Sequence, residues 1–268
     1  MKTAIVSLML VLNSWQPDHT PGWAAFVAGD FSRAREEGAA AKTADGLALA
    51  CRSGLVIGGF RATGKDVVLS LHRALQDCEA ALEIDPHNIV ASVSYSLALG
   101  YEGKRLKKAS YIKASRERLE HCLEHHPGDP LVLAALGGWH SAVSNAGFLA
   151  RLALGGSRDQ AEQYFTRAIE LDSTSIGTRF EYVRFLARGD NKERSEALTQ
   201  LAIVLALPPA DAAEKIMKER LAQLIPMLEA NDKKGVRERV METAAFRDIA
   251  DWRDFEGYPL VPIENYKS

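Results

Sequence analysis

The chain lacks an excess of charge of either sign. Its 268 residues include 33 Lys and Arg and 35 Asp and Glu, which gives a net charge of −2 with His neutral. Proteins that bind nucleic acid usually carry a basic excess. The balance of charges therefore argues against nucleic acid as a partner.

Cysteine is scarce. Cys51, Cys78 and Cys122 cannot all pair within one chain. Cys78 and Cys122 belong to the helix faces described below, where a free cysteine behaves as a compact apolar side chain, and this is the interpretation that we favour. The alternative is a bridge between Cys51 and Cys78, which one helical hairpin would bring together in an exported chain.

Long apolar runs are absent near the N-terminus. The run Ala4–Leu12 has nine residues, whereas a membrane-spanning helix needs about 20, so no transmembrane segment is expected. Preceded by Lys2, this run suits the apolar region of a secretory signal, although Leu12–Ser14 matches a cleavage site poorly. Residues 1–14 are interpreted either as a signal segment of a periplasmic or secreted bacterial protein or as the buried first helix of a cytoplasmic one.

Alternation of apolar and polar residues with a period of two is also missing, which argues against a sheet. The chain has instead a recurring unit of small or apolar residues at steps of four and three. Such steps place side chains on one face of a helix, and small side chains there let a second helix approach closely. Pro follows three of the units and marks the end of a helix. The units are Ala74–Cys78–Ala81, Ser115–Leu119–Cys122, Ala161–Phe165–Ala168 and Ala197–Leu201–Val204, with a weaker copy at Ala34–Gly38–Ala41.

Repetition of a helical unit is typical of a stacked array. The third position of the unit recurs at 41, 81, 122, 168 and 204, so each repeat is longer than the roughly 34 residues of a standard tetratricopeptide repeat. We predict an all-α, right-handed solenoid of about five helical hairpins over residues 15–209. Capping helices follow over 210–247, and a C-terminal tail over 248–268.

Capping residues predict where helices begin. Asp66, Asp129 and Ser157 have side chains that accept hydrogen bonds from the free backbone amides of a first helical turn. They predict a long first helix over 129–154 and its partner over 157–172.

Part of the array resembles a known family. The stretch Pro130–His140 with its Gly137-Gly138-Trp139 motif, the stretch Leu152–Ser157 and the segment Ala161–Leu171 are similar to the tetratricopeptide-like core of the regulator of microtubule dynamics family. The resemblance extends over about residues 85–225 and implies an all-helical adaptor without enzymatic activity. A tubulin-binding role is not carried over, because no microtubule-binding motif is matched.

Residues 59–66 (Gly-Phe-Arg-Ala-Thr-Gly-Lys-Asp) differ at one position from a phosphate-binding loop. The glycines would let backbone amides cradle phosphates, Lys65 would reach the terminal ones, and Leu55–Ile57 would form the preceding strand. However, Asp66 stands where Ser or Thr should bind magnesium, and its carboxylate would lie close to the negative nucleotide. A loop between repeat helices explains the glycines as well, so nucleotide binding is an alternative and not the favoured function.

His121 and His125, with Glu124, match the H-x-x-E-H pattern of a zinc hydrolase. A neighbouring repeat has Ala-Leu-Glu-Ile-Asp-Pro at 81–86 where this one has Cys-Leu-Glu-His-His-Pro at 122–127. The histidines therefore take ordinary positions in the last helical turn, where a cation suits the negative helix end. No third ligand is evident, so we expect no metal site, no other cofactor and no enzymatic activity.

Seven basic residues and one acidic residue lie within residues 104–118. The basic stripe that begins with Lys104, Arg105, Lys107 and Lys108 is a solvated outer face in the interpretation that we favour. The second interpretation is a docking surface for an acidic peptide or for anionic headgroups, which would give a peripheral membrane contact.

First helices line the inner surface of such arrays, and this places Trp139 and His140 in a concave groove. Arg179, Tyr182 and Arg184 on the next first helix add polar contacts there. We therefore predict a non-catalytic scaffold that binds a protein or peptide partner through these residues. The alternatives are the nucleotide-binding or zinc-dependent enzyme described above, and a carrier in which Trp139 lines a pocket for a small apolar ligand.

Overall fold

Residues 19–260 are described by the computed structural model of the chain. Within this range the chain is helical and has no strand, which confirms the all-α prediction. A π-helical turn (Ile57–Arg61) follows α3, and a 3₁₀ turn (Ile249–Trp252) follows α14. The α-helices are α1 (Trp23–Ala28), α2 (Phe31–Ala41), α3 (Ala44–Val56), α4 (Asp66–Ile84), α5 (Ile89–Leu106), α6 (Ala109–His125), α7 (Pro130–Ser144), α8 (Phe148–Leu154), α9 (Arg158–Leu171), α10 (Ile176–Ala187), α11 (Asn191–Ala206), α12 (Ala212–Ala222), α13 (Ile225–Glu229) and α14 (Lys233–Glu242).

Consecutive helices pack as pairs. The pairs are α3 with α4, α5 with α6, α7 with α9 and α10 with α11, and α2 packs against α3. The first helices of the pairs also contact one another in order, α3 with α5, α5 with α7, α7 with α10 and α10 with α12. Each pair therefore covers the apolar face of the next.

The recurring small-residue unit lies on the second helix of each pair. All twelve residues of the four units are at most 5% exposed, so the spacing in the sequence identifies the buried face of α4, α6, α9 and α11. Phe165 shows how the faces fit: it packs against Gly137 of α7, where a Cβ atom would lie 2.9 Å from Cδ1 of the ring. A glycine is therefore needed for α7 and α9 to approach this closely.

Two of the three predicted N-caps are confirmed. The Asp129 side chain accepts hydrogen bonds from the backbone N–H groups of Leu131 and Val132, and the Ser157 hydroxyl accepts one from Gln160. The prediction for Asp66 is wrong, because α4 begins at that residue and the capping position before it has no side-chain hydrogen bond.

The predicted first helix over 129–154 is also interrupted. The chain leaves α7 after Ser144 and starts α8 only at Phe148, and Gly147 between them has φ of 103°. That backbone conformation lies outside the right-handed helical region. The hydrophobic pattern continues across the break, so it gave no sign of the interruption.

A disulfide bond between Cys51 and Cys78 joins α3 to α4. The favoured prediction of a free Cys78 is wrong, and the bridged alternative is the one that the structure shows. Cys122 is a free, buried cysteine, as expected. Burial raises the pKa of its thiol to about 11.

The N-terminal helices meet α12. Phe26, Phe31 and Leu49 of α1–α3 share a hydrophobic core with Ala213 and Ile216 of α12. An ion pair at the same contact joins Arg52 Nη2 to Asp211 Oδ2 at 2.9 Å. The first helix of the segment predicted as a cap over 210–247 thus packs against the N-terminal helices.

Two predictions concern membranes and export. None of the helices between residues 19 and 260 combines the length and apolar character that crossing a bilayer requires. The apolar run Ala4–Leu12, interpreted as a signal segment or a buried helix, lies outside the described residues.

Candidate functional site

Three ionisable side chains form a buried cluster between α4 and α5. His72, Glu102 and Arg105 are 1%, 1% and 3% exposed. Glu102 and Arg105 lie one turn apart on α5, so their side chains share a helix face, and His72 reaches them from α4. Buried charges persist in proteins only when they are paired and hydrogen-bonded, which directs attention to what this cluster binds.

The guanidinium of Arg105 is neutralised by Glu102. Nε and Nη2 donate to the two carboxylate oxygens at 2.8 and 2.5 Å, and His72 Nε2 lies 3.3 Å from one of them. Burial alone would raise the pKa of Glu102, but the hydrogen bonds from Arg105 and His72 outweigh it and lower that pKa. Glu102 therefore holds Arg105 in one orientation as a carboxylate.

The remaining nitrogen of Arg105 binds the backbone of the C-terminal segment, defined here as residues 246–260. Nη1 donates to the carbonyl oxygens of Trp252, Arg253 and Phe255 at 2.9, 3.0 and 2.8 Å. Three carbonyl oxygens thus accept hydrogen bonds from one guanidinium, whose positive charge is neutralised by Glu102 on its other side. Because the contacts are to main-chain atoms, they recognise the conformation of a polypeptide backbone and do not depend on the identity of its side chains.

His72 binds the next part of the same segment. The backbone N–H of Tyr258 lies 3.0 Å from His72 Nδ1, and the Tyr258 carbonyl oxygen lies 3.1 Å from the same ring nitrogen. Gly257 makes this approach feasible: it has φ of +67°, and a Cβ atom there would lie 2.5 Å from His72 Nδ1. A larger residue at position 257 would push the segment off the ring.

Further side chains of α4 and α5 hold the two ends of the C-terminal segment. Lys104 Nζ donates to the Phe246 carbonyl at 3.0 Å, and Gln76 Nε2 donates to the Pro259 carbonyl at 2.9 Å. Arg73 donates to the Tyr258 hydroxyl and lies over its ring, 4.9 Å from the centroid. We call the resulting surface the α4/α5 clamp; it comprises His72, Arg73, Gln76, Glu102, Lys104 and Arg105.

Two residues of the predicted basic stripe belong to the α4/α5 clamp and two do not. Arg105 is buried and Lys104 is engaged by the C-terminal segment, while Lys107 and Lys108 are exposed at the turn that follows α5. The four residues therefore do not form one solvated face, and the favoured interpretation is wrong for Arg105. The residues predicted as a tail over 248–268 are, up to Leu260, packed on helices.

Trp139 and His140, predicted to line a groove, are buried in α7. The Trp139 indole donates to the Ile112 carbonyl at 3.0 Å, and Arg116 lies over its ring. His140 accepts a hydrogen bond from the Ser157 backbone at 3.4 Å. Burial, reinforced by the charge of Arg116, lowers the pKa of His140 to about 4. Their side chains are occupied by contacts within the chain.

Arg179, Tyr182 and Arg184, on α10, are likewise no more than 7% exposed. Arg179 donates to the Ser173 carbonyl and to Gln200, and Tyr182 packs against aromatic rings of the core. Arg184 pairs with Glu181 at 2.9 Å. The structure brings the five predicted groove residues into the interior on α7 and α10, and their binding of a partner stays a prediction.

The segment 59–66 does not have the surroundings of a phosphate-binding loop. Leu55 and Val56, proposed as its strand, belong to helix α3, and Gly59 lies within the π-helical turn. Gly59 faces Phe246 and Ala245 of the chain, within 3.4 Å of where its Cβ would be. This packing explains Gly59, and the left-handed backbone of Gly64, with φ of +61°, explains the second glycine.

The histidines of the H-x-x-E-H pattern lie at the exposed end of α6. The His125 ring is 4.5 Å from that of His121 and 5.1 Å from that of His87, centroid to centroid. Within residues 19–260, no set of three or more His, Cys, Asp or Glu side chains is arranged to hold a metal ion. The structure therefore adds nothing in favour of a zinc hydrolase.

Sequence reasoning missed His72 and Glu102. A signal was present, because Glu102 precedes Arg105 by one helical turn, which places the two side chains on the same face of α5. The backbone carbonyls that Arg105 binds could not be predicted, because they lie about 150 residues further along the chain. Comparison of the chain with models of known protein families gives no match, and comparison with curated proteins gives none either.

Proposed function

We propose that the protein is a non-catalytic scaffold that binds an extended segment of a protein or peptide partner. The observation that carries the proposal is the α4/α5 clamp, in which side chains from two helices bind a polypeptide mainly through its backbone. Arg105 alone accounts for three of these carbonyl contacts. In the structure the C-terminal segment of the chain itself occupies the clamp.

The proposed architecture is a right-handed solenoid of tetratricopeptide-like hairpins. Its support is the order of the helix pairs and the succession of first helices, each in contact with the next. In such an array a face formed by neighbouring repeats can receive an extended chain. The α4/α5 clamp lies on two consecutive repeats, with α4 from one and α5 from the next.

An exported, periplasmic or secreted location is part of the proposal. The support is the Cys51–Cys78 bridge, because cytosolic thiols are generally kept reduced. The N-terminal residue of the protein from its host, together with its cellular fraction, tests this. Cleavage near Ser14 agrees with export, and an intact Met1 in the cytosolic fraction contradicts it.

Peptide binding is tested with a labelled peptide of residues 246–260 and a full-length chain whose own segment is weakened. Gly257→Ala places a Cβ atom against His72, so the internal segment competes less. Fluorescence anisotropy should show that this variant binds the peptide at least about tenfold more tightly than the parent, because the competent state of the clamp is more populated.

The matched controls use the Gly257→Ala background. Adding Arg105→Gln should abolish peptide binding, and adding Lys107→Gln, an exposed neighbour, should leave it unchanged. A Gly257→Ala chain that is folded by circular dichroism yet binds no peptide contradicts the proposal. So does measurable turnover that Lys65→Ala or His125→Ala abolishes, since that result identifies an enzyme.

A further inference from the structure

Helix α8 presents a cluster of large apolar side chains to solvent. Phe148, Leu149 and Leu152 are 68%, 78% and 73% exposed. Steps of three and four residues place them on one side of the helix. Other exposed large apolar residues, such as Met241 at 64%, are spread over the chain. Clustered apolar exposure marks an interaction surface, whereas scattered exposure needs no explanation.

The C-terminal end of α8 is held by the rest of the fold. Leu154 packs against the core of α6 and α7, and Arg116 donates to its carbonyl at 3.4 Å. Phe148, Leu149 and Leu152 precede this anchor, and α8 follows the break after α7. The exposed cluster therefore lies on the N-terminal side of this anchor.

The charged residues nearest to α8 in the sequence are positive. Between residues 130 and 158 the sequence contains no Asp or Glu, and its charged residues are Arg151 and Arg158. Arg151 is exposed beside the apolar cluster, 5.7 Å from the centroid of the Phe148 ring. The helix packs against α6, in which three basic residues are balanced by three acidic ones, so Arg151 is the cation that the cluster itself offers. An apolar surface with a cation beside it is complementary to an anionic lipid surface.

We propose that α8 is a shallow anchor on an anionic lipid bilayer. Phe148, Leu149 and Leu152 enter the boundary between headgroups and acyl chains, and Arg151 pairs with headgroup phosphates. This surface is separate from the α4/α5 clamp and goes beyond peptide binding. It would hold the scaffold at a membrane while the clamp faces its partner.

A second copy of the chain fits this surface less well. A two-fold contact through α8 would bring Arg151 against its symmetry mate, and like charges oppose such an approach. Three side chains supply about 450–750 Å² per copy, at roughly 150–250 Å² for a large one, so two copies together lie at the lower end of the area that a stable protein interface buries in total. A bilayer needs neither a matching groove nor a large area.

The test is co-sedimentation of the full-length protein with vesicles. We expect binding to vesicles of phosphatidylcholine and phosphatidylglycerol and little binding to phosphatidylcholine alone. Leu149→Ser with Leu152→Ser should weaken binding on the order of a hundredfold, about tenfold for each leucine removed from the lipid. Arg151→Gln should weaken it roughly fivefold, as expected for one basic residue near an anionic surface.

Met241→Ser is the matched control, because Met241 is equally exposed but lies on α14. All of these side chains are at the surface, so thermal midpoints should stay unchanged and folding is not in question. Binding that the α8 variants leave intact overturns the proposal, as does failure of the parent to bind either vesicle. A dimer in sedimentation equilibrium that Leu149→Ser and Leu152→Ser dissociate assigns the surface to a second copy and also overturns it.

Discussion

Glu102 accepts two hydrogen bonds from the guanidinium of Arg105, and both side chains are almost fully buried. The pair is local, one helical turn apart, but its effect reaches residues 252–255, which the third nitrogen of Arg105 binds. The position of the C-terminal segment thus depends on a charge pair inside α5.

Arg105→Gln should detach the C-terminal segment and destabilise the fold. Removing one partner of a buried ion pair leaves an uncompensated charge, which typically costs about 3–5 kcal/mol. Urea unfolding should show this loss, and hydrogen exchange should show lost protection at residues 249–258. Lys107→Gln, on the exposed turn, is the control and should be neutral. Unchanged protection in Arg105→Gln contradicts the role assigned to the clamp.

The disulfide predicts a definite thiol count. With reagent in the native state no thiol should react rapidly, because Cys122 is buried and its pKa is raised to about 11. In denaturant one thiol should react without reductant and three after reduction. Replacing Cys51 and Cys78 by Ala should cost about 3–4 kcal/mol, from the closure entropy of a loop of this length. Three thiols in the unreduced, unfolded chain would contradict the bridge.

His140 predicts a loss of stability in acid. The unfolded chain binds a proton at this residue below about pH 6.5, whereas the folded protein does so only near pH 4. Stability from this group is therefore complete above pH 6.5 and falls as the pH drops towards 4, by on the order of 3 kcal/mol.

Asp77 acts in the opposite direction over part of this range, because burial raises its pKa to about 6. The His140 effect is therefore measured as a difference, by urea unfolding of the parent and of His140→Gln at a series of pH values. The difference between their free energies of unfolding should become smaller as the pH falls from 6.5 to 4. A difference in free energy of unfolding that stays constant over this pH range contradicts the lowered pKa of His140.

Two adjacent glycines of α7 should respond in opposite directions to alanine. At Gly137 a new Cβ would meet the buried Phe165 ring at 2.9 Å, whereas at Gly138 it would meet nothing within 4 Å. Overpacking a core typically costs about 1–3 kcal/mol, while alanine in place of glycine within a helix contributes about 0.5–1 kcal/mol. Thermal unfolding of both variants checks this, and equal midpoints would show that α7 and α9 are not in close contact there.

The helical pairs could be predicted because their signal is local. The small-residue steps fix which face of α4, α6, α9 and α11 is buried, and Asp129 and Ser157 fix two helix starts. Each of these depends on residues within two turns of one another. Such patterns are set by helix geometry and survive unchanged in the folded chain.

The site could not be predicted because it joins residues far apart in the chain. Arg105 has the sequence character of a solvated basic residue, and its hydrogen bonds to Glu102 and to three carbonyls of residues 252–255 make its burial favourable. Conversely, Arg179 and Arg184 were placed in a groove because they are polar, yet each finds internal partners. Helical spacing alone does not separate a face that lines a groove from one that packs inside.

The contact between α1–α3 and α12 has a consequence for synthesis. Arg52 can form its ion pair only after Asp211, 159 residues later in the chain, has been synthesised. Likewise, Phe26 and Phe31 complete their hydrophobic contacts only after Ile216 has been synthesised. Helices α1–α3 therefore complete their packing only after most of the described chain has been synthesised.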